Sequence, residues 1–300
     1  MNDFAHLPAT IRLGDLEVRR LGFGAMQIPG PMVWGEPKDP DRARATLKRV
    51  VSLGIQLIDT SWYYGPFVAN RFIAETLHPY PEDLVILTKL GGRRTPDKGW
   101  VAALRPEELR QGCEEDLRGL KKERIDVVNL RWIGHTDVPF REALDAMIGL
   151  QREGKIRHLA LSNVTLAQLH EGLERTPIVG VENLYNVAAG EKRLGALPHA
   201  SIADQEQIVD LCASRGMAFL PFFSLAIPGA SHESPAVLRI AKRHGATVAQ
   251  VGIAWLLARS PAMLPIPGTS SPDHLEENWD ARKIKLTRED VLEISAARDA

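Results

Sequence analysis

The chain has 300 residues, a formal net charge of −1 and an apolar fraction of 44%. This near-neutral charge argues against a nucleic-acid partner, because binding to phosphate backbones needs a basic excess. Residues 1–10 lack the apolar core of a signal peptide, and no apolar run approaches the roughly 20 residues that span a bilayer. The two cysteines, Cys113 and Cys212, lie far apart, so we expect free thiols in a cytoplasmic protein and neither a disulfide nor a zinc site.

Short apolar runs alternate with amphipathic segments along the whole chain. Two apolar stretches around Gly14-Asp15 predict an N-terminal hairpin over residues 10–19. The next apolar runs predict eight strands, at 20–23, 55–59, 84–89, 126–130, 158–162, 178–182, 218–222 and 264–266. Segments with a helical period predict helices at 41–53, 106–120, 140–153, 165–173, 204–214, 236–243 and 248–258, with extra C-terminal helices at 272–279 and 288–297.

Eight successive strand–helix units predict parallel strands that close into a (β/α)8 TIM barrel. We expect residues 1–300 to form one α/β domain, with the hairpin covering the bottom of the barrel. The alternative is an open doubly wound sheet, which needs a glycine-rich dinucleotide turn after its first strand. The segment Leu21-Gly22-Phe23-Gly24 has only Gly-x-Gly and no helix directly after it, so the open sheet is disfavoured. Residues 30–40 and 187–203 are predicted loops above the active rim.

Ionisable side chains stand at the C-terminal ends of successive predicted strands. Asp59, Lys89 and Arg131 end the second, third and fourth strands, and Tyr64 follows the second. In a barrel of this kind the catalytic groups lie at this rim. A phenol has a pKa of about 10, and a nearby cation lowers such a value by about 1–3 units. We therefore expect Lys89, oriented by Asp59, to make Tyr64 a general acid. Each residue taken alone has a structural alternative, such as a turn cap or an ordinary strand end.

Several segments together resemble the aldo-keto reductase family over nearly the whole chain. In chain order these segments are Ile58-Asp59-Thr60, Tyr64-Gly65, Thr88-Lys89, Leu161-Ser162-Asn163 and Ile266-Pro267-Gly268-Thr269-Ser270-Ser271. The family has a (β/α)8 barrel and uses NADPH, in some members NADH, without a Rossmann domain. The resemblance implies a carbonyl reductase that transfers a hydride from nicotinamide to an aldehyde, with Tyr64 protonating the oxygen.

The resemblance also implies cofactor contacts. Ser162 and Asn163 would hold the nicotinamide carboxamide, Phe222 would stack on its ring, and Asp59 and Met26 would lie near its ribose. The residues that match the adenosine phosphate and adenine contacts are Gly268, Thr269, Ser270, His274, Glu277 and Asn278. Many relatives of this family carry lysine or arginine where this chain has Gly268 and His274. We therefore expect hydroxyl and N–H groups at the start of the 272–279 helix to bind the phosphate, with Arg282 as a nearby cation. NADPH is favoured, and NADH is possible.

Two positions depart from the family pattern. Arg131 stands where the family usually has histidine, and Glu182 stands where it usually has glutamine. An ionised glutamate can only accept hydrogen bonds, so Glu182 would hold the carboxamide NH2 without donating back. Arg131 would donate to the substrate carbonyl, lower the pKa of Tyr64 further and favour an anionic substrate group. The alternative for Arg131 is a salt bridge to a nearby acid, which would leave catalysis to Tyr64.

The segment Gly24-Ala25-Met26-Gln27 and the arginine at position 131 resemble a bacterial branch of the family that is associated with pyridoxal reduction. Such a small aldehyde or alcohol is the expected partner of a monomer or weak homo-oligomer. A sugar or polyol dehydrogenase and a cofactor-binding redox-sensing subunit remain alternatives. A metal-dependent barrel hydrolase would need His-x-His or clustered carboxylates at strand ends, and neither pattern is found in the sequence. The residues expected to form an aromatic wall for the substrate are Trp62, Tyr63, Trp132 and Phe223.

Overall fold

A computed structural model describes residues 7–133, 136–188, 202–225 and 234–299. The first two strands pair antiparallel across Gly14, whose φ of +67° suits glycine. The strands in chain order are β1 (Thr10–Leu13), β2 (Leu16–Arg19), β3 (Phe23–Gly24), β4 (Leu57–Asp59), β5 (Val85–Leu90), β6 (Gly92–Arg94), β7 (Trp100–Ala102), β8 (Ile125–Arg131), β9 (Ile156–Ser162), β10 (Ile178–Leu184) and β11 (Ala218–Phe222).

Seven of these strands form one parallel sheet in the order β11-β10-β9-β8-β5-β4-β3. The eighth predicted strand, at 264–266, is not a regular strand, but it closes the ring by hydrogen bonds to both edges. Leu264 N donates to Phe219 O of β11 at 2.9 Å, and Gly22 N, just before β3, donates to Pro265 O at 2.9 Å. Proline has no N–H to donate, so Pro265 and the proline two residues later interrupt the ladder. The predicted α/β barrel is thus confirmed.

The N-terminal hairpin plugs the bottom of this barrel, as predicted. Leu13 and Val18 of the hairpin are fully buried and belong to a compact cluster with the side chains that point into the barrel. Burial of such aliphatic side chains stabilises the fold by about 1.5–3 kcal/mol each. The inward-pointing partners in this cluster are Leu57, Val85, Leu87, Val127, Ala160, Val179, Ala218, Leu220, Leu264 and Ile266.

Helices cover the outside of the sheet, and several begin at capping residues that the sequence offers. The carboxylate of Asp39 accepts from Arg42 N at the start of α1, and the Thr165 and Thr247 hydroxyls cap α5 and α8. The helices are α1 (Pro40–Ser52), α2 (Val68–Leu77), α3 (Pro106–Leu120), α4 (Phe140–Arg152), α5 (Leu166–Arg175), α6 (Ile202–Arg215), α7 (Pro235–His244), α8 (Val248–Arg259), α9 (Pro272–Asp280) and α10 (Arg288–Asp299).

Two elements were not predicted. Helix α2 begins after Phe67, which has a φ of +67° and offers no side-chain cap, so the sequence carries no start signal. The hairpin of β6 and β7 stands above the sheet. The predicted loop at 30–40 does lie at the rim, where Trp34 pairs with Gly65. Most of the second predicted loop falls outside the described residues. In the part of the chain that the structure describes, no helix is long and apolar enough to cross a membrane.

Candidate active site

The structure brings the four predicted rim residues together. Asp59 ends β4, Lys89 lies near the end of β5, Arg131 ends β8, and Tyr64 follows β4. The first two and Tyr64 are buried, whereas Arg131 is half-buried. Lys89 Nζ donates to Asp59 Oδ1 and to Thr60 O, and it lies 5.3 Å from the centre of the Tyr64 ring. The phenol and the ion pair therefore share one site.

Glu182 adds a second carboxylate to this ion pair. Its Oε2 lies 3.4 Å from Lys89 Nζ and accepts a 2.6 Å hydrogen bond from Asn129 Nδ2. Sequence reasoning assigned Glu182 only to the nicotinamide carboxamide. The structure shows that it belongs equally to the catalytic cluster, with Lys89 between two buried carboxylates.

Burial and this crowding of negative charge set the protonation of the site. Burial and, after it, the charge of Glu182 raise the pKa of Asp59, Lys89 lowers it, and the net pKa is about 8. Burial lowers the pKa of Lys89, but attraction to the two carboxylates outweighs burial, and the net pKa is raised. Lys89 therefore stays charged, while the proton affinity of Asp59 is unusually high for a carboxylate.

The pKa of Tyr64 lies well above its ordinary value, which corrects the expected depression. Burial is the main cause, and the charges of Asp59 and Glu182 add to it, whereas Arg131 opposes it. Lys89 and Arg131 were expected to lower this pKa, and neither burial nor the charges of the two carboxylates entered that prediction. In the structure the two carboxylates compensate the lysine, so Arg131 is the cation that favours the phenolate. Tyr64 is consequently held as a neutral phenol, ready to donate.

Arg131 faces the expected cofactor residues. Its Nη1 donates to Ser162 Oγ at 2.9 Å, and its guanidinium carbon lies 4.9 Å from the centre of the Phe222 ring. Within the described ranges it forms no salt bridge to a carboxylate, although the charges of Glu182 and Asp59 act on it. The alternative of a salt bridge from Arg131 to a nearby acid therefore has no support among the described residues.

The residues expected around the nicotinamide also lie together. Asn163 has a φ of +57°, which asparagine tolerates; its N donates to Glu182 O and its Nδ2 to Trp132 O. Asn129 Oδ1 is buried with no hydrogen-bond partner in the described part of the chain. It stands ready to accept from an amide such as a carboxamide NH2. Met26 lies half-buried in the short turn after β3.

The expected phosphate loop lies where α9 begins. Thr269 Oγ1 accepts from Ser271 N at 3.0 Å. Gly268 is partly exposed, and Ser270 and His274 are exposed. Arg282 does not belong to this loop. It follows the opposite end of α9, stacked 4.3 Å over Trp279, which corrects its expected role.

The two residues expected at the adenine differ in availability. Glu277 Oε1 accepts from Thr247 Oγ1 at 2.6 Å and Glu277 O accepts from Gln250, so part of Glu277 is engaged in holding the start of α8. Asn278 is buried. Both residues lie on α9, the helix that directly follows the expected phosphate loop.

The expected aromatic wall is only partly available. Tyr63 is fully buried beneath Tyr64, with ring centres 5.5 Å apart, so it belongs to the core and cannot line a pocket. Trp132 is nearly buried against Phe140. Trp62 and Phe223 remain half-buried. Trp100 of β7, which was not among the residues expected at the site, packs edge-on against Tyr63 and stands at this rim.

A buried polar network holds the residues next to Lys89 and Asp59 in place. Asp116 of α3 accepts from Thr88 Oγ1 at 2.8 Å and from Asn70 Nδ2 at 2.6 Å. Asn70 Oδ1 in turn accepts from Thr60 Oγ1 at 2.8 Å. The two threonines are the chain neighbours of Lys89 and Asp59. The network was not predicted, because Asn70 lies on the unpredicted helix α2 and Asp116 is one of several acidic residues on its predicted helix.

The site thus has the parts of an oxidoreductase acting on carbonyl or alcohol groups: a phenol, a buried lysine–carboxylate pair and a cation. In the described residues no cluster of histidine, cysteine and carboxylate side chains could hold a metal ion. The aldo/keto reductase family model matches residues 20–299, and the chain belongs to that family.

Individual relatives agree with this assignment. The chain is 40% identical to pyridoxine 4-dehydrogenase from Escherichia coli K12 over 285 residues, which covers 93% of this chain and 95% of the relative. It superimposes on a thermostable aldo-keto reductase crystallised with epalrestat with a TM-score of 0.79, 27% identity and coverage of 96% and 99%. An aldo/keto reductase from Klebsiella pneumoniae in complex with NADP and acetate gives a TM-score of 0.74 at 23% identity, with coverage of 97% and 95%.

The buried Asp116 network predicts a characteristic pH dependence of stability. Burial raises the pKa of Asp116 to about 7, whereas an aspartate in an unfolded chain titrates near 4. The resulting stabilisation is present below pH 4 and is lost as the pH rises through 7. The loss of unfolding free energy in Asp116→Asn should therefore shrink from pH 4 to pH 7 and then stay constant.

Urea unfolding of the wild-type protein and of Asp116→Asn between pH 4 and pH 7 and above would measure the difference in unfolding free energy. The matched control is Asp41→Asn, which removes a fully exposed carboxylate on α1. A difference that grows with pH would contradict the raised pKa of Asp116.

Proposed function

We propose that this protein is an NADPH-dependent reductase of small aldehydes, with pyridoxal as its substrate. The observation that carries the proposal is the buried Tyr64 phenol beside the Lys89–Asp59 pair, with Arg131 at the same rim. The 40% identity to a pyridoxine 4-dehydrogenase over almost the full length of both chains supports the choice of substrate. We expect a cytoplasmic enzyme, in keeping with two buried free cysteines.

The proposed cofactor fits the residues present. Asn129 Oδ1 is an orphaned acceptor beside Glu182, Phe222 offers a half-buried ring, and the start of α9 offers hydroxyl groups. The Klebsiella relative was crystallised with NADP, which supports the same dinucleotide here. NADPH, when bound, supplies the hydride for carbonyl reduction.

The chain's own residues would handle the proton and the oxygen. Tyr64 stays protonated because burial and two carboxylates raise its pKa, so the acid form is fully populated at neutral pH. An alkoxide is a far stronger base than a phenolate, so even a weakened phenol acid donates to an oxygen on which negative charge develops. Arg131 stabilises that developing charge, since its guanidinium lies at the rim without a salt bridge in the described residues.

The positive charge of Lys89 would stabilise the phenolate that Tyr64 becomes when it donates its proton. Once Tyr64 gives up its proton, a phenolate lies near the ammonium of Lys89, whose Nζ is 5.3 Å from the ring centre. Asp59 and Glu182 hold that ammonium charged and in place. The same groups serve alcohol oxidation, in which Tyr64 must first be deprotonated.

Replacement of Tyr64 by phenylalanine should abolish the proton transfer and retain dinucleotide binding. We expect the rate of pyridoxal reduction to fall by about 10²- to 10⁴-fold, the usual contribution of a positioned acid. Steady-state kinetics and fluorescence titration with NADPH measure the two quantities. Tyr63→Phe is the matched control because it removes the neighbouring buried phenol oxygen. A Tyr64→Phe enzyme with near-normal rate would overturn the acid assignment.

Two charge-removing variants should move the pH dependence of alcohol oxidation in opposite directions. Glu182 raises the pKa of Tyr64 and Arg131 lowers it. Oxidation needs the phenolate, so its rate should rise at lower pH in Glu182→Gln and at higher pH in Arg131→Met. Rate profiles from pH 6 to pH 10.5 test the pair. Shifts in the same direction would show that these charges do not act through Tyr64.

A substrate panel distinguishes the proposed function from its alternatives. NADPH and NADH consumption is followed with pyridoxal and other small aldehydes, and NADP+ reduction with sugars and polyols. Rapid oxidation of NADPH by pyridoxal, lost in Tyr64→Phe, is the expected result. Turnover only with sugars or polyols would favour the dehydrogenase alternative. Tight dinucleotide binding without any turnover would favour a redox-sensing subunit.

A further inference from the structure

The expected phosphate loop carries no fixed cation of its own. Residues 268–274 read Gly-Thr-Ser-Ser-Pro-Asp-His, with an acid and a histidine but neither lysine nor arginine. A phosphate monoester carries between one and two negative charges at neutral pH and is bound best by an arginine fork. Arg282, the cation expected from the sequence, lies at the opposite end of α9. If the loop binds a phosphate monoester, a cation from another element must supply the charge.

Arg42 of α1 reaches this loop from outside. Its Nη2 donates to Ser271 Oγ at 2.7 Å, although 229 residues separate the two in sequence. Ser271 directly precedes α9 and is only 5% exposed. Its N–H donates to Thr269 Oγ1. The guanidinium thus lies at a loop that already presents hydroxyl groups at the N-terminal end of a helix, where anions are favoured.

The charge of Arg42 is not compensated as those of its neighbours are. Arg44 lies 3.5 Å from Asp41 and 3.7 Å from Glu75, and Arg49 Nε lies 2.7 Å from Glu276. Arg42, on the same helix, has no carboxylate within salt-bridge distance among the described residues, and only one of its guanidinium nitrogens is engaged with a side chain there. Its remaining N–H groups are available to an anion.

The backbone of Arg42 is held firmly. Its N–H donates to Asp39 Oδ1 at 2.9 Å, and its carbonyl accepts from Thr46 Oγ1 at 2.9 Å. The next residue on α1, Ala43, is buried in the core. The helix therefore holds the backbone of Arg42 in place, and the hydrogen bond to Ser271 Oγ orients its guanidinium at the loop.

We propose that Arg42 is the cation that binds the 2′-phosphate of NADPH, together with the hydroxyl groups of Thr269 and Ser271. The inference rests on the proposed function, because it takes the loop at the start of α9 as the cofactor's phosphate site. It deepens that function by naming a residue on a different element as the determinant of preference for NADPH over NADH.

Calorimetric binding of adenosine 2′,5′-bisphosphate and of 5′-AMP tests the proposal without catalysis. Loss of a hydrogen-bonded charge pair in Arg42→Met should weaken bisphosphate binding by about 10- to 100-fold and AMP binding by less than about threefold. Arg42→Lys should recover part of the affinity. Arg44→Met, on the same helix, and Arg282→Met, beyond the end of α9, should leave both affinities unchanged.

Three results would overturn the role of Arg42. These are a bisphosphate affinity in Arg42→Met within about threefold of the wild-type value, equal weakening of both ligands, and a wild-type protein that does not prefer the bisphosphate. Thermal unfolding of each variant identifies a loss that comes from misfolding, and Ser271→Ala then serves as the second variant, expected to weaken only the bisphosphate.

Failure of the proposed function would look different. In that case no carbonyl compound would be reduced, while the bisphosphate preference and its dependence on Arg42 would remain measurable. If both hold, Arg42→Met should raise the KM for NADPH and leave the KM for NADH and the kcat with NADPH nearly unchanged.

Discussion

The lysine buried between two carboxylates is the interaction on which the site depends. Lys89 lies at the end of a strand inside a closed barrel, where an unpaired charge would be strongly unfavourable. Asp59 and Glu182 compensate it from neighbouring positions of the rim, and the Asp116 network fixes the adjoining threonines from behind. Burial is the main reason why Tyr64 stays protonated, and the charges of the two carboxylates add to its effect.

The barrel explains how residues so far apart in sequence share this environment. Strands β4, β5 and β8 are neighbours in the parallel sheet, so their C-terminal ends bring Asp59, Lys89 and Arg131 to one rim. The alternation of strands and helices was sufficient to predict this, because a parallel sheet leaves one edge for all strand ends. Even the eighth segment, broken by two prolines, was located correctly, since hydrogen bonds to both edges place it between β11 and β3.

What the sequence could not indicate depends on contacts between distant elements. The pKa shift of Tyr64 was mispredicted because it follows mainly from burial in the closed barrel, with further contributions from Asp59 and from Glu182, which comes from β10. Helix α2 was missed because it starts at a residue with positive φ and no cap. Arg42 gave no signal, since an arginine on the first turn of an ordinary surface helix has no local pattern that points to a loop 229 residues away.

Arg131 and Glu182, the two residues that were expected from the sequence to depart from the family pattern, make physical sense as a pair. Arginine in place of histidine adds a fixed positive charge at position 131, and glutamate in place of glutamine adds a negative charge at position 182. Each acts on the other, since the charge of Glu182 raises the pKa of Arg131, and the two have opposite effects on Tyr64. Either replacement alone would leave an uncompensated charge in a largely buried site, which is strongly unfavourable. Together they preserve the charge balance around the phenol, while giving the rim a cation that a neutral histidine would not provide.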